Sequence, residues 1–273
     1  MNLKVLNLEL AERLENSEVD ALTSRLTEIQ KIEGNPMEVE IKKFGHATAF
    51  SAKNMPGPSF NTVKGLKQGD EEQIEHIIQF YKQKEIPARF ELTPAHTSSK
   101  LLSRLNETGL FHNDFHSTLY ASLKNNLNEM IAIHNSGIII RKLKEQEFDT
   151  FADIYTKGFQ MPTFLKSGIA KNNKILFNNQ NWTFYIATYE DEPVGIGVLF
   201  IQNGIANLAA AATIPGLRNK GIQSALIKQR IQEATRQECE FVVGQAKYGS
   251  VSQNNMERAG LSIAYTKAIW VEK

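Results

Sequence analysis

The sequence is poor in cysteine, in long apolar runs and in net charge. Its single cysteine, Cys239, leaves no intrachain disulfide and no cysteine-based zinc site open to it. Such usage points to a reducing compartment, and the expected location is cytoplasmic. The longest uninterrupted apolar stretch, near Val194–Ile201, is far too short to span a bilayer and holds two glycines. The opening stretch, MNLKVLNLELAERLE, meets acidic residues at once and has no signal-peptide core. A net charge of +1 singles out neither nucleic acid nor an anionic membrane as a partner. All six histidines lie between His46 and His134, so the chain from Gly137 on has none to serve as base, nucleophile or ligand.

What is present fits a soluble globular protein with room for two domains: 273 residues, 41% hydrophobic and 22% charged. Residues before Gly137 carry 15 basic against 18 acidic side chains, and those from Gly137 on carry 16 against 12. A mildly basic second half suits an anionic cofactor without demanding one.

Periodicity divides the chain into two runs of similar order. Residues 1–35 read as helix, stopped by Gly34-Asn35-Pro36. Val39–Phe44 reads as a strand with Gly45–Phe50 as its hairpin partner. Asp70 and Gln73 have the spacing of a capping box ahead of the stripe Ile74, Ile77, Ile78, Tyr81. Ile86–Leu92 is a strand, Leu101, Leu102 and Leu105 mark a helix ended by Gly109, and Leu110–Leu123 reads as a strand pair. The Asn-rich run Lys124–Asn128 marks a junction near residues 125–136. Beyond it come a strand at Ile138–Leu143, helices at Glu147–Phe159 and Thr163–Phe177, a hairpin of Trp182–Tyr189 and Val194–Gln202, a strand at Phe241–Gln245 and a last strand, Ile263–Val271, that closes the sheet.

The most informative stretch is Asn207–Ile231, NLAAAATIPGLRNKGIQSALIKQRI. Leu208–Ala212 is apolar, small and uncharged. Pro215-Gly216 breaks the run, and Ile227, Ile231 and Ala234 then recur on one helical face. Strand, turn, helix is the reading. The first N–H groups of such a helix lack internal partners and sit at its positive end. Gly221 lets a bulky anion approach, and Arg218 and Lys220 add charge, so a diphosphate is the natural occupant. A nucleotide P-loop would need a Lys-Ser/Thr pair after its glycine. Here Ile222 and Gln223 follow Gly221. An ordinary strand–turn–helix, its glycine merely fitting a turn, is the plain alternative.

Arg218-x-x-Gly221-x-Gln223, with Thr213-x-Pro215 before it and Ser224-Ala225-Leu226 after it, resembles the acyl-coenzyme-A-binding motif of the GNAT N-acetyltransferases. Gln223 stands where that family usually has Gly or Ala. Tyr248–Leu261 resembles the family's last helix and its Gly-Phe exit, with Leu261 in the Phe position. Pro58-Ser59-Phe60-Asn61-x-Val63-x-Gly65-Leu66, with Phe90-Glu91-Leu92-x-Pro94, more loosely resembles the N-terminal half of two-domain members, which lacks a working cofactor motif.

The resemblance implies an α+β fold of two GNAT-like domains, a degenerate one at 1–130 and an acetyl-CoA-binding one at 131–273. Each would be a mixed twisted sheet flanked by helices, and in the second two parallel strands would splay apart. It implies acetyl-CoA held by Ala211, Ala212 and Thr213 on the strand, by Arg218, Asn219, Lys220, Gly221, Ile222, Gln223 and Ser224 at the turn, and by Ser252 and Asn255 on the last helix. Helix capping and a solvent face are the plain alternatives for Ser252 and Asn255.

The implied reaction is direct attack of a primary amine, small-molecule or peptide, on the thioester, with a backbone N–H near Ala211 polarising the carbonyl. No metal is called for. The N-terminal half would shape the acceptor site or a homodimer face. Met256 occupies the position where the family usually has a proton-donating Tyr. Tyr248, nearby in sequence, is the substitute candidate. That departure keeps open a non-catalytic acyl-CoA-binding module. Glu190, Asp191 and Glu192 are candidate bases, with a hairpin turn as the simpler explanation. Cys239 reads as packing, Phe148, Phe151 and Tyr155 as core, and the His112/His116 pair as strand or loop rather than a metal site.

Overall fold

A computed structural model of the chain describes residues 5–124 and 137–272. The junction expected at 125–136 lies outside the described residues. The chain forms two compact units, and they are not contiguous in sequence: Leu6–Thr118 is joined by Ala246–Tyr248 and Ala264–Lys273, while Leu119–Gln245 is joined by Gly249–Ile263.

The N-terminal unit opens with α1 (Leu8–Gln30), whose cap Asn7 accepts a hydrogen bond from the Leu10 N–H. Its strands are β1 (Val39–Phe44), β2 (Ala47–Ala52), β3 (Thr62–Lys64), β4 (Arg89–Leu92) and the first part of β5 (Leu110–Ser122). Its other helices are α2 (Gln73–Lys82) and α3 (Ser99–Glu107). The stripe read from the sequence is the buried one, for Ile74, Ile77 and Tyr81 are all fully covered.

Two local readings fail here. Asp70 does not cap α2; its carboxylate accepts from the N–H groups of His46 and Lys67, so it ties a loop instead. Leu110–Ser122 is one strand and not a pair: Asn113-Asp114, the turn-forming pair in its middle, stays extended. His112 and His116 therefore sit on a strand, and no His, Cys, Asp or Glu cluster of metal-binding geometry occurs among the described residues.

The strand at the end of the chain departs most from expectation. β11 (Ser262–Glu272) was expected to close the C-terminal sheet. It pairs antiparallel with β4, Ala268 opposite Leu92 and Val271 opposite Arg89. Its alternating pattern suits either edge; what selects this one includes a buried charge cluster. Glu18 of α1 and Glu91 of β4 meet Lys64 of β3 and Lys267 of β11, and Arg89 pairs with Glu91. All five side chains are buried. Burial opposes the charge of Glu91, yet Lys267, Lys64 and Arg89 outweigh it and hold its carboxyl well below the usual range.

The C-terminal unit carries β6 (Ile138–Lys142), α4 (Phe148–Gly158), α5 (Lys166–Lys174), β7 (Trp182–Tyr189), β8 (Glu192–Gln202), β9 (Ile205–Thr213), α6 (Ile222–Arg236), β10 (Phe241–Lys247) and α7 (Val251–Arg258). The strand order is β10-β9-β8-β7-β6. β6 to β9 pair antiparallel, and β10 joins β9 in parallel. Glu190 and Asp191, both with positive φ, form the two-residue turn between β7 and β8. The hairpin explanation of these acidic residues therefore stands on geometry. Phe148 and Phe151 are core, as read.

Helices α4 and α6 cover opposite faces of β8 and β9. Gly195 and Gly197 admit α6: a Cβ at Gly195 would lie 2.7 Å from Ile222 Cγ2, and one at Gly197 3.2 Å from Leu226 Cδ2. On the other face the end of α4 closes on β9, where a Cβ at Gly158 would lie 2.6 Å from that of Ala212.

Candidate functional site

The site grows from the way β9 ends its pairing with β10. The parallel ladder covers Phe241–Ile205, Val242–Ala206 and Val243–Asn207 and stops there. Both strands continue, β9 to Thr213 and β10 to Lys247. At the same point β9 bulges against β8: Val198 faces Ala210 but Phe200 faces Asn207, so Leu208 and Ala209 stand opposite Leu199 alone. Bulge and splay coincide. Ala209 is exposed and Ala210 and Ala211 are half-buried, which marks an open edge in the middle of a strand.

Which main-chain groups face that edge follows from alternation along the strand. Ile214 N–H donates to Val194 O, so position 214 is bonded toward β8. Residues 210 and 212 share its direction, while Ala211 and Thr213 turn their N–H and C=O groups away from β8. Side chains smaller than valine at 209–212 leave those groups uncovered. Thr213 Oγ1 is buried without a hydrogen-bond partner, as is Gln245 Nε2 on β10.

Below β9 the chain makes a 3₁₀ turn, Pro215–Leu217, and enters α6. Asn219 and Gly221 both adopt left-handed backbone, φ 64° and 85°. Only glycine takes that conformation without cost at the cap of α6. Gly221 caps the helix with no side-chain hydrogen bond. Among the described residues, the N–H groups of Asn219, Gly221, Ile222, Gln223 and Ser224 have no hydrogen-bond partner. Five amides at the positive end of a helix and in its approach make a candidate anion seat. Arg218 and Lys220 are exposed beside it. Arg218 donates to the Gly158 carbonyl at 2.8 Å, tying the turn to the end of α4, and Lys220 Nζ lies 5.7 Å from the Tyr189 ring centroid.

On α7 the residues separate. Ser250, not Ser252, caps the helix and accepts from the Gln253 N–H. Ser252 is exposed and Asn255 half-buried, its Oδ1 accepting from Arg258. Met256 is buried against β10: a Cβ on Gly244 would lie 2.5 Å from its Sδ and 3.6 Å from Leu208. The methionine thus stands just past the last paired residue of β10. Tyr248 belongs to the other unit, where it is 60% exposed and donates its N–H to Phe115 O. Cys239 is buried, and burial pushes its thiol up to about 11.

Sequence reasoning missed Arg230. It is 1% exposed, the largest fully buried side chain among the described residues. Its Nε donates to Leu226 O at 3.0 Å, and one guanidinium nitrogen donates to both Val198 O at 3.2 Å and Ala210 O at 3.1 Å. The signal was present: an arginine one turn beyond Leu226, on a helix face that meets Gly195 and Gly197.

Residues 147–260 match the acetyltransferase (GNAT) family. No curated protein matches the sequence. Among solved structures, the fold is similar to a GCN5-related N-acetyltransferase from Kribbella flavida, with a TM-score of 0.66 at 11% identity over 93% of this chain and 94% of that one. It is also similar to a tandem GNAT protein from the clavulanic acid biosynthesis pathway, with a TM-score of 0.65 at 8% identity over 91% and 86%. A GCN5-related N-acetyltransferase from Sphaerobacter thermophilus gives 0.62 at 11% identity over 86% and 75%. At such identities the likeness is one of fold: α+β, mixed sheets flanked by helices, in a tandem arrangement.

Proposed function

We propose that this chain, whose C-terminal unit carries a GNAT acetyltransferase domain, transfers an acetyl group from acetyl-CoA to a primary amine. The observation that carries the reading is the set of unpartnered amides of Asn219, Gly221, Ile222, Gln223 and Ser224, set beside an open β9 edge. Those amides, with Arg218 and Lys220, would hold the pyrophosphate. The main-chain groups of Ala211 and Thr213 would bind the pantetheine arm, with Ala212 beneath it and Ser252 and Asn255 toward it from α7.

Acetyl-CoA would supply a carbonyl carbon already activated for attack, with a thiolate as leaving group. The Ala211 N–H faces the open edge and would donate to the carbonyl oxygen as charge builds there. The C–N bond forms as the C–S bond breaks; the ammonium gives up one proton before attack and a second as the amide forms, and the thiolate leaves. An amine of ordinary pKa, ~10.4, needs a base for this, reached through water. A thiol titrates near ~8.5 and leaves as thiolate without a donor. Met256 therefore does not bar the reaction.

Met256 does favour a second reading, an acyl-CoA-binding module without turnover. A thiol-release assay over a panel of amines separates the two. Amine-dependent release supports transfer. Tight acetyl-CoA binding with no release for any amine would establish the module. Calorimetry that detects no coenzyme A binding would overturn both.

A further inference from the structure

Arg230 is a buried cation that, among the described residues, has no carboxylate within ion-pairing distance. Burial pulls its guanidinium down to about 10. The nearby Tyr185 hydroxyl is itself buried without a hydrogen-bond partner. An apolar side chain of similar volume would fill the space between α6 and the sheet at lower electrostatic cost. Something other than packing therefore accounts for an arginine here.

Its position indicates what. One guanidinium nitrogen reaches Val198 O and Ala210 O together, so both oxygens face the β8–β9 seam. These two residues are the last pair before the bulge. A trans peptide holds its oxygen and its N–H on opposite sides. The peptide that gives its oxygen, from Ala210, to Arg230 must therefore present its N–H, from Ala211, at the open edge. A charge-assisted hydrogen bond on the oxygen draws electron density from the nitrogen and makes that N–H a stronger donor. Gly197 is part of the arrangement, since a Cβ there would lie 3.3 Å from Arg230 Nε.

We propose that Arg230 is a positioning residue for acyl transfer: from behind the sheet it fixes the bulge of β9 and polarises the Ala210–Ala211 peptide, whose N–H meets the thioester carbonyl. The proposal rests on the acyl-transfer reading above.

The test uses the full chain and acetyl-CoA labelled with carbon-13 at the thioester carbonyl, followed by infrared difference spectroscopy. In the wild type the carbonyl band moves to lower wavenumber on binding. In Arg230→Met that displacement is largely lost while coenzyme A affinity is unchanged, and with a reactive amine kcat falls about tenfold, less than the ~10²–10³ that deleting a donor outright costs. Arg230→Lys keeps the charge and restores part of the displacement. Equal displacement in wild type and Arg230→Met, or a bound wild-type carbonyl with no displacement, overturns the role of Arg230 and leaves the acyl-transfer reading standing. The wild-type spectrum alone decides the second outcome, even where Arg230→Met does not fold. Failure of the wild type to bind acetyl-CoA overturns both.

Discussion

A buried charge cluster in the N-terminal unit and buried Arg230 in the C-terminal unit are compensated in opposite ways. In the N-terminal unit two carboxylates and three cations, on α1, β3, β4 and β11, each find an ion-pair partner within the protein. In the C-terminal unit Arg230 is answered only by carbonyl dipoles, and the amides at the head of α6 are answered by nothing in the described chain. A closed network gains nothing from an added ion. An open one leaves positive potential for the two uses proposed above, an anion at the helix end and a developing oxyanion at the strand. On the proposed function, the same α+β plan serves as a scaffold in one unit and as a receptor in the other.

Breaking the closed network has the largest expected effect. Lys267→Met removes the lysine that bonds both Glu18 and Glu91 and leaves two buried carboxylates short of a partner. The cost is about 3–5 kcal/mol of stability, measured by urea unfolding. The molecule has two tryptophans, Trp270 on β11 and Trp182 on β7, so variants keeping one report on each unit separately. The loss should appear at Trp270. An equal loss read at Trp182 alone would contradict the division. Next is Gly195→Val, which forces side-chain carbons against Ile222 and Leu226. Overpacking costs about 1–3 kcal/mol and tilts the head of α6, so coenzyme A affinity falls with stability. Unchanged affinity in a folded variant would detach the anion seat from this packing.

What the sequence made legible depended on where the information lay. The anion seat was readable because its parts are consecutive: small strand, turn, left-handed glycine, helix. The splay between β9 and β10 followed from the family resemblance, and the ladder that stops at Asn207 and Val243 agrees with it. The pairing of β11 with β4 was not readable, because alternation reports which faces a strand has and not which strands it lies beside. Lys64, Glu91 and Lys267 pass for solvent-facing positions one strand at a time; only together under α1 are they a core. Arg230 escaped for a similar reason. A lone arginine in a helix suggests a surface; its place one turn beyond Leu226 hinted at burial, but its partners are the backbone carbonyls of Leu226, Val198 and Ala210, and side-chain patterns do not name carbonyl partners.

A smaller effect is expected at the open end. Gly221→Ala places a Cβ on left-handed backbone, a strain of about 1–2 kcal/mol. Where binding of the diphosphate requires that backbone, the dissociation constant for coenzyme A rises about tenfold, since ~1.4 kcal/mol is one factor of ten. Isothermal titration measures it. An unaltered constant would mean that the phosphates rest elsewhere.

The smallest effect concerns a charge pair that belongs to neither pattern. Arg141 on β6 forks onto Glu147 ahead of α4, with nitrogens 2.7 and 2.6 Å from the carboxylate oxygens, and the Lys144 N–H adds a third bond at 2.8 Å. The Arg141 hydrogen bonds, against some burial and with help from Lys144, hold the Glu147 carboxyl down to about 2 from a reference of 4.5. A depressed carboxyl stabilises the folded state above its unfolded value. The contribution is complete above about pH 5, shrinks as pH falls below the reference, and is gone near the folded value. Solvent screens this partly exposed pair, so its worth is at most about 1 kcal/mol. Glu147→Gln should lower stability by that amount at neutral pH, read at Trp182, and the difference from wild type should close on approaching pH 2 and also in about 1 M salt, where the screening length is ~3 Å. The loss in Lys267→Met, seated where neither water nor salt enters, should keep its size in the same salt. If both losses shrink alike, the contrast between a closed buried network and a screened surface pair does not hold.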